Sequence, residues 1–253
     1  MLERYVHAVP ILPGKEAAFS NYYIEQCEKL KDPEFQKALA EYWIALGMSG
    51  WNAWYQNISG RGYFLHCFEG ANYRDIMLRF SELVREEHLY AKSAENFYQE
   101  VFGIDFLDEG IIPDLLHLGD YSISVERDTI AQVYSWAFAI PLCDKQLTKQ
   151  LEAAKNLSEE LDPVYYSVCQ DFRVILDSRW IQQSKFGNYL IFYQELLQNP
   201  FELRDKQLKN PILRMLTKEI CKDNGLPYHE IVPNLIPMVQ NLCFEQPTFE
   251  HIT

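Results

Sequence analysis

The sequence has no Cys-x-x-Cys pair, and its six cysteines (Cys27, Cys67, Cys143, Cys169, Cys221, Cys243) are scattered over 253 residues. A disulfide framework belongs to short, cysteine-dense secreted chains, so reduced thiols are expected. No run of about 18 apolar residues is present, which excludes an ordinary membrane-spanning helix. Residues 1–7 include an early acid and begin no apolar stretch of the kind a secretory signal needs, so a cytoplasmic protein is expected. Positive charge is scarce, with 23 Lys and Arg against 36 Asp and Glu for a net −13. Residues 1–126 carry 10 basic and 20 acidic side chains and residues 127–253 carry 13 and 16. Neither half has the positive field that phosphate backbones or anionic lipids require, so neither nucleic acid nor membrane is expected as a partner. There is no Gly-x-Ser-x-Gly elbow and no Gly-Lys-Ser/Thr phosphate loop. Arg85-Glu86-Glu87-His88 lacks the second histidine of a zinc-binding helix, and Gly60-x-Gly62 precedes no helix. What the chain does have is 48% apolar and 14% aromatic residues, ample material for a core.

The sequence repeats itself. Val6–Ile11 aligns with Ala137–Leu142 at an offset of 131, and Asp32-Pro33 with Asp162-Pro163 at 130. Trp54-Tyr55-Gln56 meets Trp180-Ile181-Gln182 at 126, an offset that also carries Tyr63 to Tyr189 and Glu69 to Glu195. Gly103-Ile104 meets Gly225-Leu226 at 122, and Ile111–Leu116 meets Ile231–Ile236 at 120. Five matches in order, with an offset that drifts one way, indicate two copies of one unit. The expected division is a first unit over 1–122, a linker over 123–131, a second unit over 132–245 and a tail over 246–253.

Within the first copy, Arg4–Ile11 is a β-favouring run ended by Pro10 and Pro13-Gly14. From Lys15 to Leu46 the apolar spacing turns helical, with a break at Asp32-Pro33 and a stop at Gly47. Gly50–Asn57 and Tyr63–Glu69 flank a glycine-containing turn and read as a hairpin. Tyr73–Val101 is mostly helical, and Leu115–Gly119 is a last short strand. The order β-α-β-β-α-β is the ferredoxin-like plan, with the strand order 4-1-3-2 expected. Its uncovered sheet face is costly to expose, and two copies bury it by packing sheet to sheet. An enclosed space between the sheets is then expected to hold a small ligand.

The chain resembles the dimeric α+β-barrel superfamily, which includes antibiotic-biosynthesis-monooxygenase-like and stress-responsive barrel proteins. The resemblance is carried by Leu46-Gly47-Met48 followed by Trp54-Tyr55-Gln56, by Gly62–Leu65 running into Phe68-Glu69-Gly70, and by Phe102–Asp105. The second copy echoes it in Trp180-Ile181-Gln182, in Gly187-Asn188-Tyr189 through Glu195, and in Asn224-Gly225-Leu226. It implies an α+β fold of two tandem ferredoxin-like units forming an intramolecular dimeric barrel. It also implies a small hydrophobic or aromatic ligand, and activities such as cofactor-independent oxygenation or isomerisation. No branch's catalytic motif matches residue by residue, so no catalytic residue is transferred. A non-catalytic module with a filled barrel is the alternative. Haem binding is a third option, and it would require a histidine facing an open cavity. Monomer and homodimer are both compatible.

The candidate site residues come from comparing the copies. His7 aligns with Phe138 and His66 with Phe192, on strands expected to be neighbours. His7 and His66 are therefore the candidate acid/base pair, because imidazole titrates near neutrality. His117, whose counterpart is Pro237, lies in the expected fourth strand and could join them as a polar cluster. Trp54 and Trp180 each open a Trp-x-Gln, offering an aromatic wall, and Gln56 and Gln182 offer amides to a ligand. Phe138 and Phe192 complete the expected ligand-facing set. Glu69 and Glu195 each close a third strand, either binding backbone donors or serving as a base. Trp43, Trp51 and Trp136 are expected in core packing.

Overall fold

The computed structural model describes residues 3–70, 72–108, 112–124, 132–156, 162–232 and 235–243. The first unit runs β1 (Glu3–Pro10), α1 (Glu16–Lys29), α2 (Pro33–Ala45), β2 (Met48–Ile58), β3 (Arg61–Gly70), α3 (Tyr73–Arg85), α4 (Leu89–Phe102) and β4 (Asp114–Ser122). The second runs β5 (Tyr134–Leu142), α5 (Asp144–Ala154), α6 (Pro163–Asp171), β6 (Val174–Ser184) and β7 (Gly187–Leu196). It continues through four short helices, α7 (Pro200–Lys209), α8 (Pro211–Leu216), α9 (Lys218–Asn224) and α10 (Tyr228–Ile231), to β8 (Leu235–Cys243).

The repeated residues do repeated jobs. Asp32 and Asp162 cap α2 and α6 through their carboxylates, with proline at the first helical position of each. Gly103 and Gly225 close α4 and α9 in the left-handed conformation, with φ of 68° and 65°. The β2–β3 hairpin turns on Ser59 and Gly60, both at positive φ, which is what a tight two-residue turn demands. The stretch Tyr73–Val101 is helical for most of its length, as expected, and divides at Glu86–His88. Glu87 sits at φ 58°, its N–H donating to Val84 and that of His88 to Leu83. This is a Schellman ending without glycine, so the usual residue signal was absent.

The strand order departs from 4-1-3-2. The sheets are β1-β3-β2-β8 and β4-β6-β7-β5, so each unit sends its last strand into the other unit's sheet. β4 pairs antiparallel with β6, and β8 with β2. Within a ferredoxin-like unit nothing in the last strand's own sequence says which copy's sheet it joins, and the exchange ties the two halves together.

The sheets pack face to face, as two tandem ferredoxin-like units forming a barrel. Val6, Ala8, Trp54, Leu65 and Cys67 of one meet Ala137, Ala139, Trp180, Ile191 and Tyr193 of the other, all essentially buried. Among the described residues, these side chains pack against one another where the ligand space is expected. Gln56 and Gln182 belong to this interior and bind backbone. Gln182 accepts from the Ala8 N–H and donates to the Ala8 carbonyl, both at 2.8 Å. Gln56 does the same to Ala139, at 2.9 and 3.1 Å. β1 and β5 are edge strands, half of whose backbone groups lack a strand partner. Each glutamine supplies that partner from the opposite sheet. At one rim Arg4 reaches Glu69 at 2.8 Å and Glu195 at 3.2 Å while lying over Tyr193. The two glutamates therefore share a cation across the interface rather than capping turns.

Replacing Gln182 by Leu keeps the volume but leaves the Ala8 N–H and C=O buried and unpaired, each costing about 1–3 kcal/mol. Q182L and Q56L are each expected to lower unfolding free energy by about 2–5 kcal/mol, measured by urea denaturation. A loss below about 0.5 kcal/mol would show that these amides hold nothing.

Candidate functional site

On β1 the side chains alternate, so Val6 and Ala8 face the other sheet while Tyr5, His7 and Val9 face the helices. On β3, Phe64, His66 and Phe68 share that helix-facing side, packed in or against the core of the first unit. His7 and His66 are direct cross-strand partners, and their ring centroids lie 3.7 Å apart. The expected pairing is thus present, but on the helix side of the sheet. Here α1–α4 and the sheet enclose a cavity of about 450 Å³, within the usual range for small-molecule sites. Its floor includes His7, His66 and Phe68, and its walls include Tyr42, Trp51 and Tyr98. Leu89, Lys29 and Asp32 lie at its outer end and are exposed.

Both histidines are buried, at 4% and 8% exposure. His7 Nδ1 is 3.0 Å from the Tyr73 hydroxyl, while His7 Nε2 is buried with no hydrogen-bonding partner. His66 Nε2 lies 3.5 Å from the Tyr98 hydroxyl. The Tyr42 hydroxyl is also buried and unpartnered. Burial pushes His7 down to about 3. The same desolvation, with the neighbouring His7, pushes His66 well below the ordinary imidazole range. Both rings are therefore neutral at pH 7. Burial likewise holds Tyr73 and Tyr98 well above the usual phenol range, so both keep their protons.

The other candidates lie elsewhere. His117 is on β4 at the edge of the second sheet, exposed, stacked on Trp180 at 5.2 Å and 3.1 Å from Asp120. The strand exchange carried it away from β1, so the three-histidine cluster does not form, and no group of three metal-ligating side chains occurs among the described residues. Trp54 and Trp180 pack between the sheets, and Gln56 and Gln182 are committed to backbone, so none of the four lines the cavity. Phe138 and Phe192 occupy the matching place in the second unit, stacked 4.7 Å apart with planes 9° from parallel, against a core that includes Ile140 and Leu190. They fill the volume that the histidines leave polar in the first unit.

Sequence reasoning missed the tyrosines and assigned Trp43 and Trp51 to packing alone, whereas both line the cavity. A signal was present in the copy comparison. At the same offsets Tyr73 stands against Asn199, Tyr98 against Ile220 and Trp51 against Asp177, so the first copy concentrates aromatic and hydroxyl groups that the second lacks.

No protein-family model and no curated protein matches the chain. Solved structures do. A protein from Fusobacterium nucleatum provisionally named a monooxygenase aligns over 96% of this chain and 92% of its own, at 9% identity and a TM-score of 0.41. An anthrone oxidase-like protein aligns over 83% and 84%, at 13% identity and 0.43. One from Lactobacillus acidophilus, also provisionally named a monooxygenase, covers 94% of each chain at 10% identity and 0.37. The chain's own architecture is two packed four-stranded sheets in a single polypeptide, and its chemistry must be argued from its own cavity. No described helix is long and apolar enough to cross a membrane.

The depressed histidine has a consequence for stability. Between pH 6.5 and about 3 the unfolded chain binds a proton that folded His7 refuses, so its stabilising share is complete above pH 6.5 and drains as pH falls. At about 1.4 kcal/mol per pH unit, wild type is expected to lose about 2 kcal/mol more than His7→Phe between pH 7.5 and 5.0. Urea titrations of both proteins at the two pH values measure this, and equal losses would contradict it.

Proposed function

We propose that the chain binds a small planar aromatic molecule in the helix–sheet cavity of its first unit, with His7 and His66 beneath it. The observation that carries this is a cavity of about 450 Å³ walled largely by aromatic rings, into which two neutral imidazoles are built at the cost of desolvating them. Protein interiors do not keep such volume and such groups for stability. The second unit shows the cheaper solution in Phe138 and Phe192.

The activity best suited to the pair is cofactor-independent oxygenation or isomerisation. Both begin with a proton leaving carbon next to a carbonyl, producing an enolate. A buried neutral imidazole is a poor base in an empty apolar cavity, because its cation has no partner. An enolate beside it supplies that partner, so proton transfer and anion formation offset each other's desolvation. Haem draws no support from the lining. Its propionates call for cations, and Lys29 is the single Lys or Arg among the lining residues. The alternative of a non-catalytic module with a filled barrel is favoured by the packed space between the sheets and opposed by the cavity behind one of them.

Binding is tested with fluorene, followed by quenching of tryptophan fluorescence from Trp43 and Trp51. Saturable quenching is expected for wild type and its loss for Ala94→Phe, which projects a ring into the cavity from α4. Proton removal is tested by deuterium exchange at C1 of 2-tetralone, expected to be accelerated by wild type and not by His66→Phe. Fluorene binding without exchange would leave a binding protein and reject the enzyme; a haem titration giving a Soret shift that His7→Phe abolishes would reverse the judgement on haem.

A further inference from the structure

We propose that Tyr73 is a positioning residue that fixes the tautomer of His7, so that the cavity offers a hydrogen-bond donor, Nε2–H, and selects aromatic ligands carrying an acceptor oxygen. This rests on the cavity being the binding site and names the ligand class it takes.

The assignment follows from counting donors and acceptors. The Tyr73 hydroxyl and His7 Nδ1 are 3.0 Å apart, and Tyr73 is buried at 8% exposure. The phenol keeps its proton, since burial raises it well above its ordinary range, and a buried O–H needs an acceptor. Nδ1 is the acceptor the structure provides. If Tyr73 donates to Nδ1, the imidazole proton sits on Nε2 and one buried donor is left unmatched. If Nδ1–H donates to Tyr73 instead, two groups are left unmatched, the phenolic O–H and the Nε2 lone pair. The first arrangement orphans fewer groups, and its orphan is the Nε2 that has no partner in the protein. His7 lines the cavity and its Nε2 is covered in the free protein, so a ligand that displaces the side chains over the ring can satisfy that N–H with a carbonyl or quinone oxygen. A ligand presenting only hydrogen-bond donors would set donor against donor.

Tyr73 can play this part because its place is set independently of the hydroxyl. It opens α3 just after the Asn72 cap, and its ring stacks on Phe68 with planes 14° apart and packs against Tyr5. Tyr73→Phe therefore removes the hydroxyl and keeps the ring.

Two measurements on the full chain test the assignment. Nitrogen NMR of the free protein, with the His7 signals assigned by comparison with His7→Phe, is expected to show Nε2 protonated and Nδ1 bare in wild type. In Tyr73→Phe the two tautomers are expected to mix. Binding of 9-fluorenone and fluorene, which differ by one carbonyl, is expected to favour the ketone about tenfold in wild type and less than threefold in both Tyr73→Phe and His7→Phe. A wild-type His7 protonated on Nδ1, or an unchanged ketone preference in Tyr73→Phe, overturns the role of Tyr73. Failure of both compounds to bind wild type overturns the cavity as the binding site, and with it the selection, while the NMR result stands by itself.

Discussion

Two side-chain amides hold the geometry on which everything else depends. Gln56 and Gln182 reach across the interface and each pairs with both backbone groups of one alanine on the opposite edge strand. An edge strand at a buried interface has polar groups that water cannot reach, and leaving them bare costs more than most packing contacts return. Because the amides satisfy these groups reciprocally, the sheets are fixed in position and not merely pressed together. The exchange of β4 and β8 acts in the same direction, since neither half can leave without breaking a strand ladder. Among the described residues, the side chains between the sheets pack into one buried cluster.

That packing explains why the cavity lies on the outer side of a sheet. Helices over a sheet leave space wherever their side chains fail to interlock, and duplication allows the two copies to use that space differently. In the second unit Phe138 and Phe192 stack, with Phe192 buried and Phe138 half-buried against the core. In the first, His7 and His66 occupy the same two positions, their polar rings ordered by Tyr73 and set near Tyr98. One unit thus bears more of the structure's closure and the other is free to carry a polar, partly empty site. Single-chain fusion is what permits this division, because two identical subunits would have to carry the same residues at both places.

Much of the fold was legible because its signals are local. Asp32-Pro33 and Asp162-Pro163 start helices, Gly103 and Gly225 end them, and Ser59-Gly60 turns a hairpin, all through backbone preferences that act within a few residues. The break at Glu87 escaped notice because a glutamate holds a conformation usually left to glycine. His7 and His66 were found together since both lie on neighbouring strands, and alternation along each strand then places them on a common side. Trp54, Gln56, Trp180 and Gln182 were recognised as special, yet their partner is the other sheet and not a ligand, which no pattern within a strand can reveal.

The amino-acid order by itself determined the duplication, the sequence of strands and helices in each copy, and the pair of histidines that distinguishes one copy from the other. These rest on periodicity, capping and turn chemistry, where cause and effect are neighbours in the chain. Only the tertiary structure decided which sheet receives the last strand of each unit, that the glutamines close the barrel, that His117 stands apart, and that the open space lies under the helices. Those outcomes turn on how separate surfaces compete for the same volume and the same hydrogen bonds, a contest settled only when all the elements have met.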